Sequence, residues 1–127
     1  MSSLYSPAVL EHFQNPRNAG DLPGATSQVE VTNPVCGDVL RLAARVGNGR
    51  ILEARFKTRG CVAAIACSSW LTEWMLGKSE AELRALRPGQ VADNLGGLAP
   101  ASLHAADLAC DALRALLAQG VPPASSR

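Results

Sequence analysis

No stretch of the 127 residues approaches the length of a membrane span, and no basic segment near Met1 leads into an apolar one, so neither a span nor a secretory signal is expected. A cytoplasmic location follows as the default expectation. Charge of one sign is also missing. With 12 Lys and Arg against 11 Asp and Glu, the formal charge is +1, which gives no reason to expect nucleic acid or an anionic membrane as partner. Gly47 and Gly49, or Gly96 and Gly97, lack the strand–loop–helix setting and the Lys-Ser/Thr ending of a phosphate loop, and the serines lie in no nucleophile elbow. Internal repeats, heptads and linkers are absent as well. Four cysteines would allow two disulfides, but in a reducing compartment a chain of this size needs none.

What is present suits one compact domain. Hydrophobic residues make up 47% and charged residues 18% of the chain. The expectation is a single domain over 1–127, with an ordered core over about 4–119 and a flexible tail at 120–127. LYSPAVLEHF (4–13) reads as a short amphipathic helix with Leu4, Val9, Leu10 and Phe13 among polar positions, Ser6 as cap and Pro7 as its first residue. Residues 15–24 read as loop, and SQVEVT (27–32) as a short strand closed by Asn33-Pro34.

Over 38–46, Leu40, Leu42, Ala44 and Val46 alternate with Arg41 and Arg45. GNG (47–49) makes the turn, and 51–59 returns with Leu52, Ala54, Phe56 and Thr58 on one side and Glu53, Arg55, Lys57 and Arg59 on the other. The hairpin therefore has one apolar and one basic face. Solvation explains the basic face, and docking of an acidic protein patch through Arg41, Arg45, Arg55, Lys57 and Arg59 is the sharper alternative.

Gly60 ends the strand, and CVAAIACSSWLTEWML predicts a largely buried helix over 61–76 that GKS stops. Ser79 with Glu82 forms a capping box for a helix over 80–86, a short segment runs from Pro88 to about Gly97, and 100–119 predicts a long final helix.

Candidate chemistry centres on Cys36, Asp38, Cys61 and His104. Gly37 lets the chain bend tightly enough for Cys36 and Asp38 to face one point, as either a metal-binding pair or an ordinary turn. Cys61 opens a helix, where free N–H groups should favour a thiolate, unless it is simply a buried small hydrophobe. His104, at the start of the final helix, can complete a mixed sulfur, nitrogen and oxygen site. Cys67 and Cys110 fall on packing stripes and read as core. His12 could equally be a solvated helix residue.

YSPAVLEHFQNPRNAG (5–20), NPVCGD (33–38) and FKTRGCVAAIACSSWLTEWMLGKS (56–79) together resemble the iron–sulfur cluster assembly scaffold family, the NifU-like N-terminal domain, over about residues 4–117. The resemblance implies an α+β fold, with a small antiparallel sheet of about three strands packed against helices and a long C-terminal helix. It implies a scaffold or carrier more than an enzyme, for a transient two-iron two-sulfur cluster or zinc, with a cysteine desulfurase as sulfur source and recipient apo iron–sulfur proteins as partners. Matched motif by motif, it makes Cys36, Asp38, Cys61 and His104 the metal ligands. Where the family has Cys after His, this chain has Ala105; Cys110 lies about 140° round and about 7.5 Å along an ideal helix from it, so it cannot replace that thiol. The segment that an Hsp70-type chaperone reads in the family resembles LPPVK. Here LAPAS keeps Pro100 but has Ser102 in place of lysine, which leaves that partner in question. A zinc-bound sulfur-transfer accessory protein and a metal-free interaction module are the alternative functions.

Overall fold

A computed structural model describes residues 5–119; Leu4 and the tail expected over 120–127 lie outside them. The elements run α1 (Pro7–Gln14), β1 (Ser27–Thr32), β2 (Val39–Gly47), β3 (Arg50–Arg59), α2 (Val62–Met75), α3 (Glu80–Arg84), α4 (Pro88–Asn94), a 3-10 turn (Pro100–Ser102) and α5 (Leu103–Ala118). The three strands form one antiparallel sheet in the order β1-β2-β3. This is the α+β architecture expected from the sequence. Ser6 accepts from the Val9 N–H and caps α1, and Ser79 with Glu82 makes the full capping box of α3. The first turn of the final helix is 3-10 rather than α, and α3 stops two residues short of the expected 86.

Asn48 and Gly49 both have positive φ, 55° and 73°, which is the two-residue turn that suits the right-handed twist of a hairpin. One expectation fails beside it. The register runs Arg45 to Glu53 but Val46 to Ile51, so Leu52 is the extra residue of a bulge. Ile51 therefore points inward and is buried, while Leu52 is 50% exposed instead of sharing the face of Ala54 and Phe56. A period of two read through a bulge inverts every side chain on one side of it.

Helices α2 and α5 cover the inner face of the sheet, with α1 against α2 and α4 against α5. Leu40, Leu42, Phe56, Leu71, Leu108, Leu113 and Leu116 meet in the resulting core. α2 is buried along most of its length, but Trp70 and Trp74 stack at 5.8 Å in half-buried positions. In α1 only Val9 is buried, and Phe13 is exposed.

Both sheet edges are occupied. Asn18 and Gly20 exchange hydrogen bonds with Phe56 on β3 at 3.0 and 2.9 Å. On β1 the Gln119 carboxamide accepts from the Gln28 N–H and donates to its carbonyl, at 3.2 and 2.8 Å.

Candidate metal centre

The turn before β2 is built by Asn33 and Gly37. The Gly37 N–H donates to the Asn33 carbonyl and the Asn33 N–H to the Asp38 carbonyl, both at 2.8 Å. Gly37 sits at φ +78°, a conformation that strains any residue with a Cβ. The loop lifts Cys36 into solvent beside Val35, which is 88% exposed, and turns the Asp38 side chain inward.

Asp38 meets the start of α2. Its Oδ2 accepts from the Cys61 N–H at 3.4 Å, a long hydrogen bond. A Cβ on Gly60 would lie 2.5 Å from Asp38 Cγ and 2.8 Å from both carboxylate oxygens, so the carboxylate occupies the space that this glycine leaves open. In the sequence Gly60 reads only as a strand ending. Cys61 is the N-cap of α2, its Sγ accepting from the Ala64 N–H at 3.4 Å. The expectation of a lowered Cys61 pKa is overturned: partial burial pushes the thiol up, the Ala64 N–H pulls it down, and the Asp38 carboxylate adds to the upward push. Desolvation and a neighbouring anion outweigh the helix start.

His104 stands in the first turn of α5, its Nε2 3.9 Å from Asp38 Oδ2. Donor atoms of Cys36, Asp38 and His104 all lie within 4.8 Å of one another. Cys61 borders this group through Asp38 without belonging to it at that distance. One soft sulfur, one imidazole and one carboxylate suit zinc or another late first-row ion, which takes about four ligands at roughly 2.0–2.3 Å. Only small side-chain movements separate the three donors from such a sphere, and Cys61 is the adjacent thiol.

Cys67 and Cys110 are buried, with thiols raised to about 12 and about 11 chiefly by desolvation. Ala105 is 1% exposed, so the residue after His104 faces the interior. The basic face is partly neutralised. Arg41 pairs with Glu30 and Asp21, Arg45 and Arg55 with Glu53, and Lys57 with Asp21. Among the described residues, Arg59 alone of the five makes no ion pair.

A small α+β domain that brings a thiol, a carboxylate and an imidazole within 4.8 Å of one another has the donor set of a metal-binding domain. The particular family is shown by comparison. Residues 4–119 match the model of the NifU-like N terminal domain, and the chain belongs to that family. It is 46% identical over 118 residues to "Iron-sulfur cluster assembly scaffold protein IscU" of Haemophilus influenzae, covering 90% of this chain and 93% of that protein. It is 45% identical over 111 residues to "Iron-sulfur cluster assembly scaffold protein IscU 1" of Archaeoglobus fulgidus, covering 87% of this chain and 72% of that one. A crystal structure of a nitrogen-fixing NifU-like protein (N-terminal) from Brucella abortus shares the fold, with a TM-score of 0.76 at 21% identity, covering 91% of this chain and 93% of that one.

Proposed function

We propose that this chain is a scaffold that holds a labile two-iron two-sulfur cluster or a zinc ion at Cys36, Asp38, Cys61 and His104, and passes its cargo to another protein. The convergence of three unlike donors within 4.8 Å at the surface carries this reading. Exposed Cys36 and Cys61 would bind as thiolates, His104 through a ring nitrogen, and Asp38 as a weak oxygen ligand that keeps the cargo exchangeable. With Ala105 in place of a third thiol, the set favours zinc, and a two-iron cluster would be held more weakly than by four cysteines. A cysteine desulfurase as sulfur donor and apo iron–sulfur proteins as recipients belong to the same reading, supported by relatives named as cluster assembly scaffolds. So does a reducing, cytoplasmic setting, since all four cysteines are free. Docking of an acidic partner on the outer sheet face would centre on Arg59, because the other four cations already have partners there.

The test is anaerobic purification followed by metal and acid-labile sulfide analysis of the parent chain and of the Cys36→Ser/Cys61→Ser variant. The parent should hold about one zinc or one cluster per chain and the variant none. Full retention by the double variant would reject the site.

A further inference from the structure

Asn33 is a polar residue only 7% exposed, and nothing in the carrying mechanism uses it. Besides closing the turn through its backbone, it works through its side chain in two directions. Oδ1 accepts from the Val35 N–H at 2.8 Å and from the Cys36 N–H at 3.2 Å. Two N–H donors can face only the oxygen end of a carboxamide, so the amide orientation is fixed and Nδ2 must point the other way. There Nδ2 donates to the carbonyl of His104 in a long hydrogen bond of 3.4 Å, across 71 positions of sequence.

We propose that Asn33 is the positioning residue of this metal centre: one carboxamide ties the turn bearing Cys36 and Asp38 to the helix start bearing His104, so that thiol, carboxylate and imidazole share one point before an ion arrives. This rests on the carrier reading above. The chemistry requires an acceptor and a donor on one short side chain. Serine supplies the acceptor but cannot reach the His104 carbonyl, and aspartate would turn a second oxygen toward it. Without the tie, the ion itself must hold the turn and α5 in register, and the ordering it imposes is subtracted from its affinity.

Zinc affinity, read by competition with a chromophoric chelator, tests this on the parent chain, Asn33→Ser and Asn33→Asp, with circular dichroism and the thermal midpoint to confirm folding. Binding should remain at one ion per chain and weaken about ten- to a hundredfold in each variant, the range found when groups that orient metal ligands are removed. Asn33→Asp is the sharper case, because its added negative charge would by itself tighten cation binding; either variant that folds suffices. Repeated in a His104→Ala background, Asn33→Ser should cost less than about threefold, since the group it positions is gone. Unchanged affinity in a folded variant overturns the inference while leaving the carrier reading standing. An undiminished loss in the His104→Ala background also overturns it, because Asn33 would then be acting on the fold at large. A parent chain that binds no zinc defeats the carrier reading and this inference together.

Discussion

At the scale of single residues, the centre depends on groups that bind nothing. Gly60 is the clearest case, because its missing Cβ is the space in which the Asp38 carboxylate sits. Its φ is not in the left-handed region, so alanine is acceptable to the backbone and the whole effect should fall on Asp38. Gly60→Ala is expected to weaken zinc binding about tenfold with little change in melting temperature; unaltered binding would mean that the position of Asp38 does not matter to the ion. Cys110→Ala is the opposite case: a buried thiol on α5, away from the donors, whose loss should cost about 1 kcal/mol of packing and leave metal stoichiometry intact. The ligand types and Gly37 are legible in the sequence, because a cysteine and a carboxylate around one glycine form a local signal. Gly60 and Asn33 are not, because what they meet lies far away in sequence. Asn33-Pro34 does carry an Asx-turn signal, yet it reads equally well as a strand ending.

At the scale of elements, helices are legible from caps and spacing to within a few residues at their ends, and the failure that turns side chains to the wrong face along an element lies in a strand. The bulge that moves Leu52 outward leaves no mark in an alternating pattern, since Ile51 and Leu52 are both apolar and either could face the core. Ile51→Ala should therefore cost about 2–5 kcal/mol in urea denaturation and Leu52→Ala about 0.5 kcal/mol or less; comparable losses would mean that no bulge separates an inward Ile51 from an outward Leu52. The junction of α1 with α2 is expected to respond to pH through His12. His12 Nδ1 lies 2.8 Å from Ser69 Oγ, whose oxygen also accepts from the Arg17 N–H at 2.8 Å. Burial, then the charge of Arg17, lower the His12 pKa below 6.5, against the opposing pull of Glu73 and Glu11. The unfolded chain thus binds this proton more readily than the folded one, and stability must fall as pH drops through about 6.5 until the lower folded value is passed. His12→Gln should remove that part of the slope when urea midpoints are measured from pH 7.5 down to pH 5. An identical slope in the variant would assign it to other groups.

At the scale of the whole molecule, the donors come from two distant parts of the chain, the turn that enters β2 and the first turn of α5, with the N-cap of α2 bordering them through Asp38. Sequence reasoning could nominate residues on each part, because each carries its own local chemistry. It could not say that Cys61 would border the group through Asp38 while Cys36 and His104 closed on each other, because that depends on how α2 and α5 pack over the sheet. A site of this kind couples cargo to folding. On the carrier reading proposed above, an ion that takes donors from distant segments binds the folded chain far better than the unfolded one, so its binding energy adds to the stability of the entire domain. At free zinc about 100 times its dissociation constant, the gain is about 2.7 kcal/mol, which for a domain of this size raises the thermal midpoint by on the order of 10 °C. Calorimetry with buffered zinc, and with a chelator in excess, should show that rise and its loss. In Cys36→Ser/Cys61→Ser the midpoint should be the same with and without zinc. If the rise survives there, the ion is held somewhere other than this site, and the coupling between cargo and fold has another origin.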